Sequence, residues 1–111
     1  MKINNTVEVF RAVGFAEFSN IMETGKFNLR PNGLESKHFG MKFEETLDFA
    51  NKVFNVHVAA IIEITVNEIV LKRTGDFTSV DSSVFKSGTV AVYKEYLEKF
   101  NTAVLEIKHV F

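Results

Sequence analysis

The sequence predicts an α+β domain built on a mostly antiparallel, curved sheet. Two helical patterns fall in the first half of the chain, and many short strand patterns follow. No repeat, linker or low-complexity segment interrupts them, and 111 residues is the length of one domain, residues 1–111.

Residues 6–13, TVEVFRAV, alternate as a strand, with Val7, Val9, Arg11 and Val13 on one face and Glu8, Phe10 and Ala12 on the other. Gly14 breaks it. Residues 15–24 carry Phe15, Phe18 and Met22 on a helical stripe with Ile21 beside it, and Gly25 stands where a left-handed C-cap belongs. Residues 26–35 read as loop, broken by Pro31 and Asn32-Gly33, and 36–39 as a very short strand.

The clearest helix is 43–55, with Phe43, Leu47, Ala50 and Phe54 in phase, Val53 widening the stripe, and Glu44 and Glu45 early, where the helix dipole favours them. Residues 57–66 form the clearest strand. Val58, Ala60, Ile62, Ile64 and Val66 make one apolar face, and Ala59 and Ile61 on the other imply an interior strand. NEIVLKR at 67–73 fits neither period cleanly, and Gly75 reads as a turn. FTSV and GTVAVY are short strands around a polar loop with Asp81, Ser82, Ser83 and Ser87. A short helix follows at 94–101 with Leu97 and Phe100, then a final alternating strand, TAVLEIKHVF.

Composition narrows the function classes. The chain is 46% apolar and 24% charged, so its core needs no staples, and its twelve Phe dominate that core. A net charge of −1 with no basic run argues against general nucleic-acid binding. The absence of Cys excludes disulfides, thiolate metal sites and Cys nucleophiles. MKINNTVEVF lacks the apolar run of a signal peptide, and VAAIIEITV at 58–66 is too short and polar to span a bilayer, so no membrane partner is expected.

Four polar positions stand out. Arg11 shares a strand face with three valines; it either snorkels out near the strand end, pairs with a structural carboxylate, or lines a cleft and clamps a phosphate or carboxylate with its rigid fork. His38 is either a surface histidine beside Lys37 or, with Ser36, a binding residue, since both follow a turn-rich loop where binding residues gather. Asp81 sits in DSSVFKSGT, as an Asx-turn or as a carboxylate on a strand edge. Asp76 and Glu106 are further acids to weigh. His57 and His109 read as structural, and no pair of histidines has the spacing of a local metal motif. Neither a GxSxG elbow nor a phosphate loop occurs.

The order VFRAV, AEFSNIMETGKF, NGLESKHFG, EETLDFA, covering residues 9–50, resembles the small ADP-ribosyltransferase-like domains at the C-termini of bacterial polymorphic toxins. The resemblance implies two short curved sheets with two to three helices and NAD, as substrate, in the cleft between them. It implies that Arg11 holds the NAD phosphate or ribose, and that Ser36, His38 and Phe39 shape the nicotinamide-ribose pocket. A later acid would face the oxocarbenium-like transition state. Such domains carry that acid shortly before a Gly-Thr strand; here SSVFKS precedes Gly88-Thr89, so Asp81 is the nearest acid. Transfer of ADP-ribose to a protein or nucleic-acid acceptor, a cognate immunity protein, and secretion or delivery into a target cell as part of a larger chain are further implications. Two other functions fit the residues: a non-catalytic binding module of the same fold, and a small α+β enzyme acting on a phosphate or an RNA 2′-phosphate, with Arg11 and His38 as anion contacts.

Overall fold

The computed structural model describes residues 5–28, 36–54, 58–78 and 82–111. Asp81, His57 and the Pro31–Gly33 turn lie outside the described residues, as do the side chains of Val53 and Phe54.

The fold is α+β. Strands β1 (Thr6–Val13), β2 (Ser36–Gly40), β3 (Ala60–Asn67), β4 (Gly75–Thr78), β5 (Thr89–Tyr93) and β6 (Val104–His109) form one antiparallel sheet in the order β4-β5-β2-β1-β3-β6. Helices α1 (Phe15–Thr24), α2 (Phe43–Phe49), α3 (Glu68–Thr74) and α4 (Lys94–Ala103) connect them.

The expectation of two separate sheets is corrected: all six strands are hydrogen-bonded in one. The join between its halves is narrow, however. Among the described residues, β1 and β3 match eight residue pairs and β2 and β5 match five, whereas β1 and β2 match at Phe10–Gly40 alone. The sheet therefore consists of two three-stranded halves that meet at one point and part beyond it.

Three helices cover one face. Ile21 of α1, Leu71 of α3 and Phe100 of α4 pack there on Val9, Ile64 and Val92. Leu97, Phe100 and Ala103 recur at three-residue spacing along α4, as a helix burying one stripe requires. Phe27, Phe39 and Phe100 interlock edge-on and tilted, with centroids 5.2–6.0 Å apart. Helix α2 covers the opposite face, where Phe43, Leu47 and Phe49 pack about Ala12, Ala50 and Ile61. With both faces covered, β3 is interior, and Ile61 and Ile62 are both buried.

Helix α2 is shorter than the sequence period suggests. Its last stretch, Ala50–Phe54, is a wider π-type turn. The ambiguous segment resolves as α3. The Asn67 side chain accepts a hydrogen bond from the Val70 amide (3.1 Å), Glu68 sits in the first turn, and Lys72 and Arg73 sit in the last. The chain passes straight from α3 into β4, so Gly75 opens a strand and is no turn. A side chain is excluded at Gly75 because a Cβ would stand 2.5 Å from Val90 Cγ2 and 2.9 Å from the Leu71 carbonyl.

Candidate functional site

Gly14 ends β1 and the chain turns at once into α1, so the first turn of α1 lies over the end of the strand. Glu17 thereby reaches back to Arg11. Arg11 Nε donates to Glu17 Oε2 (2.7 Å) and Nη2 to Oε1 (3.0 Å), a fork-to-fork pair. The third guanidinium nitrogen, Nη1, donates to the carbonyl of His38 (2.8 Å). Arg11 belongs to one half-sheet and His38 to the other, so the guanidinium spans the seam where β1 and β2 part.

Lys37 stands on the same side of β2 and brings Nζ to 3.4 Å from Glu17 Oε2. It is 8% exposed, rare for a lysine, and this is tolerable because a carboxylate is within reach. Phe39, two residues on, presents its ring 5.9 Å beneath the Arg11 guanidinium. Burial alone would raise the Glu17 carboxyl, but the hydrogen bond and charge of Arg11, with Lys37 adding to both, hold it below the ordinary carboxylate value.

Alternation along β2 sends Ser36 and His38 to the other face. There His38 registers with Ala91, which registers with Asp76, and Ser36 registers with Tyr93. The Tyr93 hydroxyl donates to Asp76 Oδ2 (3.1 Å), which raises the phenol's pKa, since a phenolate would face that carboxylate. Ser36, His38, Tyr93 and Asp76 therefore share one polar patch, in which the residue between His38 and Asp76 is a small alanine. Burial, and then the positive charge of Arg11, lower the pKa of His38.

The structure thus brings Arg11 to the seam and sets Ser36 and His38 beside it on the opposite face. Phe39 is 1% exposed and packs against Phe27 and Phe100, so its ring is engaged with the core and with Arg11. Glu106 lies on β6 at the far edge of the sheet, away from the seam. His109 packs edge-on to Phe18, centroids 5.0 Å apart.

Three residues escaped the sequence reading. Glu17 and Lys37 complete the charge cluster; the signal was a carboxylate one helical turn past a strand-ending glycine. The third is Glu45 of α2, whose carboxylate accepts from the Ser87 amide (3.1 Å) and hydroxyl (2.8 Å). An acid thus does stand beside the loop leading into Gly88-Thr89, delivered from α2. Among the described residues, no three His, Asp or Glu side chains converge as metal ligands do, and no helix is long and apolar enough to cross a membrane.

No protein-family model matches this chain, and no curated protein is significantly similar to it.

Proposed function

We propose that the domain is an ADP-ribosyltransferase-like module, of the kind carried by bacterial polymorphic toxins, that holds NAD at the seam between its half-sheets. The observation supporting this reading is the placement of Arg11: a guanidinium fixed where the two halves part, with Lys37 beside it and the His38 and Ser36 side chains across the same seam on the opposite face. Phosphate, like carboxylate, is an anion that such a fork matches. His38, kept neutral at pH 7 by its lowered pKa, and the Ser36 hydroxyl are hydrogen-bonding groups suited to ribose. Nicotinamide leaves with the electron pair of its bond to ribose, as a neutral molecule, and the ribosyl carbon is captured by an acceptor nucleophile or by water, which gives up its proton. The protein's task is then to orient the dinucleotide and set a carboxylate near the developing cation. Asp76, held by Tyr93, is an acid in the same patch as His38 and Ser36.

One observation favours a second reading, a binding module without turnover. Glu17 already fills the Arg11 fork, so a phosphate must displace that carboxylate or use the remaining N–H groups.

Thermal-shift titration with NAD, with nicotinamide release followed by chromatography, tests both. The transferase reading expects a shift and release. Glu17→Gln then strengthens NAD binding by emptying the fork, and Arg11→Lys weakens it. A shift without release supports the binding module. If neither the wild type nor Glu17→Gln shifts or releases nicotinamide, the seam is not an NAD site.

A further inference from the structure

We propose that the domain forms a symmetric homodimer by antiparallel pairing of β6 with β6 of a second copy, centred on Ile107. The proposal does not depend on the NAD reading. β6 ends the strand order, so among the described residues no strand pairs with its outer side. A free strand edge is a template for a further strand, and proteins usually blunt it with lysine, bulges or short length. Here the lysine has a complement. About a two-fold axis through Ile107, Glu106 falls opposite Lys108 of the second copy, and Lys108 opposite its Glu106. The two side chains share a face of the strand, are more than half exposed, and lie 4.0 Å apart within one copy. Pairing closes them into a four-charge ring across the axis.

The same charges disfavour the registers centred one residue to either side. Centring on Lys108 or on Glu106 sets like charges directly opposite each other, which is destabilising. The bulge between Val104 and Glu106 limits regular pairing to the segment from Glu106 onward. The other edge has no such complement: in β4, Gly75–Thr78, self-pairing centred on Asp76 opposes two carboxylates.

Apolar surface lies beside the proposed seam. Leu105 is 63% exposed and Met22 48%. Both line a groove of about 350 Å³ between α1 and β6. A two-fold perpendicular to the sheet puts α1 of both copies on one side, so the two grooves flank the axis. The outcome is one twelve-stranded sheet, twice the six strands of a single copy.

Sedimentation velocity of the intact chain, from about 1 µM to about 1 mM, tests this. The wild type is expected to dimerise within that range. Lys108→Glu and Glu106→Lys each oppose like charges twice per dimer and weaken association about tenfold. The double variant, Glu106→Lys with Lys108→Glu, restores it. Both side chains are exposed, so the fold survives, and matching thermal melts confirm that. A wild type that stays monomeric overturns the proposal. So does a dimer that the single variants leave unweakened, or one that the double variant fails to restore, because either places the interface elsewhere.

Discussion

Arg11 donates to the carbonyl of His38, 2.8 Å away, across the line where β1 and β2 cease to pair. That bond replaces the backbone ladder just where the ladder ends. Its geometry is fixed from the other side by Glu17, which takes two more guanidinium donors.

The first prediction concerns that pair. The Arg11 and Glu17 side chains are 20% and 17% exposed, so removing either leaves the other largely desolvated and without its partner. Glu17→Gln is expected to cost about 3 kcal/mol in urea denaturation. Arg11→Met with Glu17→Leu should cost less than the sum of the single changes, with a coupling of about 2 kcal/mol. A coupling near zero would show that the pair is held passively by the packing around it.

The second prediction is acid lability in two stages. His38 has a folded pKa below its unfolded value near 6.5, so between those values the unfolded chain binds a proton that the native chain does not. Stability is fully present above about pH 6.5 and falls as pH drops toward the folded value. Glu17 is also depressed, by Arg11 and Lys37 against the opposing effect of burial, so its contribution is present above the ordinary carboxylate range and is lost as pH falls through its folded pKa. Melting temperature from pH 8 to pH 3 should decline first near neutrality and again in acid. His38→Gln should remove the first decline while leaving the second. A first decline that persists in that variant would assign it to another group.

The third prediction concerns Asn101, whose side chain takes up both backbone groups of Phe27. Its Oδ1 accepts from the Phe27 amide (2.8 Å) and its Nδ2 donates to the Phe27 carbonyl (2.9 Å). The Phe27 ring is anchored in the core at 1% exposure, so these backbone groups cannot readily turn to water. Asn101→Ala should cost about 2 kcal/mol, and Asn101→Asp nearly as much, because it keeps the acceptor and sets a carboxylate against the carbonyl. A loss under about 0.5 kcal/mol would mean that water replaces the amide.

These residues also show what was legible in the sequence. β1 and α1 were read to the residue because Gly14 and Gly25 punctuate clear periods of two and of 3.6. α3 was not, because seven residues hold too little periodicity and its start depends on the Asn67 cap. The apolar face around Arg11 pointed to a buried guanidinium in need of partners, and the structure supplies them. Their identity was hidden, because Glu17 reaches Arg11 only through the angle at which α1 leaves the strand. The single sheet with a one-pair join was hidden for a related reason: it depends on register between β1 and β2, which a helix and a loop separate. The burial of Phe39 was hidden likewise, because side-chain alternation says which residues share a face of the sheet, whereas three helices decide which face is dry.

The last prediction separates two reasons for glycine. Gly25 closes α1 with φ of 70°, and its amide donates to the Ile21 carbonyl (2.7 Å). Nothing lies within 4 Å of a Cβ built there, so a side chain meets a backbone penalty and no clash. Gly25→Ala should cost about 1 kcal/mol and Gly25→Asn less, since asparagine tolerates the left-handed region. Gly75 is the reverse case. Its φ of −100° suits any residue, but a Cβ would stand 2.9 Å from the Leu71 carbonyl and 2.5 Å from Val90 Cγ2. The valine is fully buried and the carbonyl is helix backbone, so neither yields cheaply. Gly75→Ala should therefore cost about 2–3 kcal/mol, more than Gly25→Ala, and Gly75→Asn should bring no relief. Urea midpoints of the four variants read the order directly. Asparagine rescuing position 75, or alanine costing more at 25 than at 75, would show that conformation and not space governs the α3–β4 junction.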